Sequence, residues 1–238
     1  ISKKIKYYND WQTQRKNIFY IIRKKKSNNI IMSKKEKIQC VILAGGKGSR
    51  LDGRGKFSEK LFNKTLLEHV VTRISKQTSE IAINFHNKKP FIDFNLHIVL
   101  DKFKEDIGPL AGIHAALKYA QECDSNNKSV VTVPIDTPFM PLNLLDKLNN
   151  QLNKKLADVV IASSGGRFHP TIAIWNVSII KKLESSIEKN IRKIDIFTNE
   201  LKKSYVDWDV KKYDPFFNIN NYNDLKIAEN MIKKNIIE

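Results

Sequence analysis

The chain predicts an α/β layered sandwich built on a mostly parallel sheet. Three observations lead there. From residue 38 onward, short apolar runs alternate with longer segments of helical period. The runs are continuous rather than alternating, as in strands covered on both faces. Alternating β and α units pack as such layers, and the turns that follow several runs carry glycine, proline or acid.

The first strand is predicted at Ile38 to Leu43, an apolar run in which Cys40 reads as a small core hydrophobe. A helical pattern covers Thr65 to Lys76, and Ile81 to Phe85 is the second strand. Leu96 to Leu100 is the third, and a helix follows over Leu110 to Glu122. Ser129 to Val133 is the fourth strand, with a helix from Leu142 to Leu152. Asp158 to Ala162 and Thr171 to Trp175 are the last two strands. Helices at Val177 to Glu188 and Tyr222 to Lys234 complete the pattern. Sheets of this kind bind ligands beyond the carboxyl ends of their strands.

At 238 residues and 41 % hydrophobic content the chain can bury a core, which excludes wholesale disorder. Two cysteines, Cys40 and Cys123, exclude a disulfide scaffold and a cysteine zinc site and fit a reducing, cytoplasmic setting. No apolar run approaches the ~20 residues of a membrane span. Net charge is +17, and residues 1 to 31 alone hold +8 of it. That segment interleaves lysines with Tyr7, Tyr8, Trp11, Phe19 and Tyr20, in the manner of a nucleic-acid or lipid arm. Its composition is also that of a disordered tail or translated upstream sequence, since Met32 opens a run resembling a natural start. Residues 1–36 are therefore expected to be an extension, and 37–238 a single domain. The basic surface of the remainder suits a polyanionic small substrate or a nucleic acid.

Two turns carry the chemistry. After the first strand stand Leu43-Ala44-Gly45-Gly46-Lys47-Gly48-Ser49-Arg50-Leu51 and Asp52-Gly53-Arg54-Gly55-Lys56. Five glycines let backbone N–H groups approach an anion, and four cations add positive charge, so this is a phosphate-binding loop by composition. It matches neither common version: Leu51 stands where the dinucleotide fingerprint needs glycine, and Arg54-Gly55 where the P-loop needs Lys-Ser/Thr. After the fourth strand, Pro134, Pro138 and Pro141 hold the chain on both sides of Asp136. A carboxylate fixed there suits Mg²⁺ bound with phosphate oxygens, although an Asp in a turn or at a helix cap gives the same pattern.

Leu43-Ala44-Gly45-Gly46 with Lys47, Arg50 and Lys56 resembles the signature of LAGG-type nucleotidyltransferases, and within them the molybdenum cofactor guanylyltransferases. Ile83-Asn84, Asp101, Gly108-Pro109-Leu110-Ala111-Gly112, Asp136-Thr137-Pro138, His169-Pro170-Thr171 and Phe217-Asn218-Ile219-Asn220 resemble that family's further motifs in order. The likeness spans about residues 38 to 230. One departure is Gly55, where the family has Asp before the lysine. The resemblance implies a three-layer, Rossmann-like sheet of the nucleotide-diphospho-sugar transferase type. It implies transfer of GMP from MgGTP to the terminal phosphate of molybdopterin, with release of pyrophosphate. GTP would meet Leu43, Ala44, Gly45, Gly46, Lys47, Lys56, Asn84, Asp101 and Asp136. Lys56 and Asp136 would be catalytic. Asp136, with Asp101 as second acid, would hold Mg²⁺, and His169, Asn218 and Asn220 would border the pterin. Transient contacts with other molybdenum-cofactor proteins are implied; a membrane or nucleic-acid partner is not.

Other residues read as structural. The five histidines lack metal spacing, His114 sits on a helix, and His169 reads equally well as a satisfied loop histidine. Trp175 and Trp208 read as packing, and Lys202-Lys203 and Lys211-Lys212 as solvated surface. Three alternatives stay open: a relative using CTP or a sugar phosphate, a basic nucleic-acid-binding protein, and an inactive adaptor on the same fold.

Overall fold

The computed structural model describes residues 38–45, 59–86, 96–103, 107–123, 128–234 and 237. The expected extension, and the loop residues Gly46, Lys47 and Lys56, lie outside the described residues.

Strand β1 (Gln39–Leu43) leads to a two-strand ribbon, β2 (Lys60–Leu61) and β3 (Lys64–Thr65), and then to helix α1 (Leu66–Ser75). The chain continues through β4 (Ile81–Phe85), β5 (His97–Leu100), α2 (Pro109–Cys123), β6 (Ser129–Pro134) and α3 (Leu144–Lys155). The second half holds β7 (Val159–Ser164), β8 (Arg167–Asn176), a 3₁₀ turn at Val177–Ile179, α4 (Ile180–Glu188), α5 (Ile194–Asn199), β9 (Lys203–Trp208) and α6 (Tyr222–Lys233). The seven-stranded sheet runs β5-β4-β1-β6-β8-β7-β9, and β8 is antiparallel to both its neighbours while every other pair is parallel.

Alternate side chains of one strand enter opposite layers. In β1, Cys40 and Ile42 pack with α1 and α3, whereas Val41 packs with α2 and α4. In β8, Ile172 and Ile174 join the first layer, and Ala173 and Trp175 the second. The Trp175 indole donates to Thr132 Oγ1 at 2.9 Å, so its one polar atom is satisfied inside the core. Cys40 is fully buried, and burial pushes its thiol far up, as a core hydrophobe requires.

Helix α1 begins on a reciprocal cap: Glu68 N–H donates to Thr65 Oγ1, and Thr65 N–H donates to the Glu68 carboxylate at 2.7 Å. Helix α3 ends differently. Leu156 closes it in the left-handed region (φ 45°, ψ 48°) with its side chain 78 % exposed. A left-handed L-residue costs about 1–2 kcal/mol, and glycine avoids that at an entropic cost of about 0.5–1 kcal/mol. Leu156→Gly is therefore expected to stabilise the protein by about 0.5–1 kcal/mol, read as a Tm rise of about 2 °C. A fall in Tm would contradict that account.

Three elements depart from the sequence expectation. Strand β9, the β2–β3 ribbon and α5 were not predicted, because β9 is a mostly half-exposed edge strand whose polar residues break the apolar-run criterion. Strands β7 and β8 extend beyond their predicted limits into a hairpin. Its two-residue turn is Gly165-Gly166, both at positive φ (53° and 76°), as such turns require. That short connection is what makes β8 antiparallel. His169, read as a loop histidine, instead lies in β8 beside a bulge, where the register jumps from Ala173 opposite Ile161 to His169 opposite Ala162. Proline is tolerated there because a bulge releases it from the ladder.

Candidate active site

The chain leaves β1 between two neighbours. Ala44 N–H donates to Asn84 O at 2.9 Å, and Ile135 N–H donates to Leu43 O at 3.1 Å. Those bonds seat Leu43, Ala44 and Gly45 at the carboxyl ends of β4 and β6. A side chain on Gly45 would come within 3.2 Å of the His86 backbone nitrogen, so glycine permits the two loops to touch.

On the β4 side, Asp101 follows β5 and is drawn in by its own N–H, which donates to Phe85 O at 3.1 Å. Asn84 Nδ2 donates to Asp101 Oδ1 at 2.8 Å and to Val99 O at 3.2 Å, and His86 Nδ1 lies 2.8 Å from Asp101 Oδ2. Helix α2 closes this end, with Gly108 at φ +65° before it and Pro109 in its first turn, where the missing N–H is harmless. Its first turn carries no acid, so the helix N-terminus adds positive potential here.

On the β6 side, Asp136 is fixed through its backbone: Ile219 N–H donates to Asp136 O at 2.8 Å. Thr137 Oγ1 donates to Asn218 Oδ1 at 2.7 Å, which clamps the 214–220 segment over the turn. Phe139 and Ile219 pack in a small separate cluster with Leu61 and Leu66 beneath that clamp.

Leu43, Ala44, Gly45, Asn84, Asp101 and Asp136 thus line one cleft of about 330 Å³, together with His86, Gly112 and Thr171. The volume is that of a small-molecule site. The cleft spans the ends of β5, β4, β1 and β6 in that order. β4 and β1 lie between the strands that carry Asp101 and Asp136. Asp101 as a second metal ligand beside Asp136 therefore stays a proposal. Both its oxygens already receive hydrogen bonds from Asn84 and His86. Asp136 by itself fits a hard cation that takes one carboxylate and fills its shell with phosphate oxygens and water. Among the described residues no group of three or more His, Cys, Asp or Glu side chains could hold a metal ion.

The remaining expected site residues lie in different places. Asn218 is next to Asp136 through Thr137, while Asn220 N–H donates to Asp224 Oδ2 at 2.8 Å at the start of α6. His169 turns inward: its Nε2 is 2.8 Å from Ser164 Oγ, which donates to Asp214 at 2.7 Å, and its ring packs on Phe216. It ties the hairpin to the segment that bears Asn218, and is neither a loop histidine nor a lining residue of the cleft. Trp208 is buried against Phe216, as expected of packing. Lys211 and Lys212 are exposed, but they also line a second cavity of about 620 Å³ with Arg73 and Tyr213. His86 and Thr171 were missed. The signal for His86 was its two-residue spacing from Asn84 across the end of β4, which would place both on one side if the strand continued.

Burial holds His69, His114 and His169 below their ordinary value of 6.5. The unfolded chain takes up these protons near pH 6.5 and the folded chain resists them, so stability is full above that pH and falls below it. Glu184, held low by hydrogen bonds from His114 and Lys118, adds a loss deeper in acid. Tm is expected to drop between about pH 7.5 and about pH 5.5, with a shallower slope in His114→Gln. Equal Tm values at the two pH settings would count against this origin.

Comparison with known proteins agrees with the geometry. Residues 40–201 match the MobA-like NTP transferase domain. The chain is 34 % identical over 194 residues to a molybdenum cofactor guanylyltransferase of Rhodopseudomonas palustris (strain HaA2), covering 81 % of this chain and 91 % of that one. A crystal structure of molybdopterin-guanine dinucleotide biosynthesis protein A from Archaeoglobus fulgidus superposes with TM-score 0.66 and 28 % identity, over 83 % of this chain and 100 % of that one. The 2-C-methyl-D-erythritol 4-phosphate cytidylyltransferase of Thermus thermophilus shares the fold at TM-score 0.60 and 13 % identity, over 83 % and 99 % of the two chains. A mostly parallel sheet with glycine and aspartate at adjacent strand ends, and a match over most of the chain, lead to one conclusion: the protein belongs to the MobA-like NTP transferase family and is a nucleotidyltransferase.

Proposed function

We propose that the protein transfers GMP from GTP to the terminal phosphate of molybdopterin, in its molybdenum-bearing form, releasing pyrophosphate and leaving the guanine dinucleotide cofactor. The observation that carries this reading is the placement of Asp136 in the same cleft as the backbone of Leu43 to Gly45. A phosphate is already a competent nucleophile, so no covalent enzyme intermediate is needed. The protein's work is positioning and charge neutralisation. Asp136 would hold Mg²⁺, which when bound neutralises charge on the phosphates. Lys47 would hold the β- and γ-phosphates and Lys56 would steady the α-phosphate. Asn218, already joined to Thr137, would border the acceptor, with Asn220 further along. The relatives' printed names support guanine over cytosine and a pterin acceptor over a sugar phosphate.

A cytoplasmic setting and transient contact with other molybdenum-cofactor proteins go with this reading. Cys40 and Cys123 are free, and among the described residues no helix is long and apolar enough to cross a membrane. The test is pyrophosphate release from each of the four nucleoside triphosphates in the presence of molybdopterin and Mg²⁺. Release from GTP alone, dependent on molybdopterin, is expected. Preference for CTP would favour the cytidylyl alternative, and no release from any nucleotide would overturn the reading.

A further inference from the structure

Asn84 in β4 and His86, the residue just past its end, converge on one carboxylate, that of Asp101. The two partners of His86 and Asp101 differ in exposure: the carboxylate side chain is 4 % exposed and the imidazole 29 %. The acid is therefore the buried anchor, and the ring is the part that faces the cleft. A carboxylate only accepts, so whenever the ring is neutral its proton sits on Nδ1 and Nε2 is left as an acceptor. Among the described residues no hydrogen bond engages Nε2. The support behind the ring is rigid, since Asn84 is 1 % exposed and bonded to both Asp101 and Val99 O.

We infer that His86 Nε2 accepts a hydrogen bond from an N–H or O–H of the nucleoside part of the bound nucleotide. Asp101 and Asn84 act through it as positioning residues that fix its tautomer and direction. The inference rests on the nucleotide reading above and deepens it by naming a residue that reads the nucleoside rather than the phosphates. Position argues for the nucleoside. His86 belongs to the β4–β5 end of the cleft, and Asp136 to the β6 end. Chemistry argues the same way: a bare acceptor beside a carboxylate repels phosphate oxygens and attracts a donor.

Asparagine at position 86 places an amide where Nδ1 stands, so it keeps the Asp101 bond and removes the Nε2 atom. The experiment is calorimetric binding of GTP, 2′,3′-dideoxy-GTP and purine riboside triphosphate to the wild type, His86→Asn and His86→Phe. The dideoxy analogue lacks the ribose hydroxyls, and the purine riboside lacks the base N–H donors. His86→Asn is expected to keep its Tm and to bind GTP roughly three- to tenfold more weakly, the worth of one net hydrogen bond. The difference between variant and wild type should vanish for one analogue, which identifies the donor. His86→Phe should lose affinity equally and melt lower. GTP affinity unchanged in His86→Asn would mean that the ring acts only through Asp101, and the inference would be withdrawn. An equal loss for both analogues would also overturn it. A wild type that binds no nucleotide would overturn the parent reading with it, whereas tight wild-type binding with an unaffected variant sinks the inference alone.

Discussion

Asp136→Asn is expected to lower turnover by roughly 10² or more while the protein stays folded. The substitution removes a charge and nearly keeps the shape, so the loss measures how the site neutralises the triphosphate; a factor of 10² is about 2.7 kcal/mol of transition-state stabilisation. The fold should tolerate it, because the turn is held by the Asp136 carbonyl accepting from Ile219 N–H and by the Thr137 to Asn218 bond, and an asparagine oxygen can still accept the 3.5 Å bond that Thr137 Oγ1 donates to Asp136 Oδ1. Tm should therefore move by no more than about 2 °C. The measurement is the rate of pyrophosphate release at saturating Mg²⁺ and GTP, beside a melting curve. Near-normal turnover under those conditions would remove Asp136 from the mechanism.

Gly112→Ala is expected to damage both stability and activity with one methyl group. A Cβ at Gly112 would stand 2.8 Å from Asn84 Oδ1 and 3.0 Å from Leu43 Cδ2. Real Cβ atoms do not approach that closely, so something must move. Asn84 cannot swing aside cheaply, since its amide holds Asp101 and Val99 O in a site with almost no free surface. Either α2 lifts from the sheet or the Asn84–Asp101 bond breaks. Overpacking of this kind costs about 1–3 kcal/mol, and the displaced residues line the cleft. Turnover should fall roughly tenfold or more, a loss of about 1.4 kcal/mol in the barrier. Gly108→Ala, whose Cβ would meet only the Arg192 carbonyl at 3.7 Å, should instead lose stability through backbone strain at φ +65°. A Gly112→Ala protein with wild-type Tm and turnover would show that α2 adjusts freely.

Much of the fold was legible in advance for a local reason. The six strand segments read from apolar runs are all strands, because the central strands of a covered sheet bury both faces and so are rich in apolar residues, with few polar ones such as Asn84 and Thr132. Strand β9 was hidden by the same rule in reverse: at the sheet edge its lysine, serine and aspartate interrupt the apolar residues. The Gly165-Gly166 pair announced a hairpin, and reading Asp158–Ala162 and Thr171–Trp175 as separate strands of a parallel sheet passed over it. His169 shows the limit most plainly. Its neighbour Pro170 suggested a loop, yet pairing with β7 and burial against Ser164 and Phe216 decided its place.

By itself the sequence determined the class of the fold and which residues stand at strand ends: Leu43 to Gly45 after β1, Asn84 at β4, Asp101 after β5 and Asp136 after β6. Those positions follow from where each apolar run stops, a property of the chain's own period. The tertiary structure decided the lateral order β5-β4-β1-β6, and with it that Asp101 and Asp136 line one cleft from different strand ends. It also decided that Asp101 anchors His86. Periodicity says which end of a strand a residue reaches; the neighbour that strand acquires is set by crossovers and by layers packing on both faces, and no local pattern carries that information.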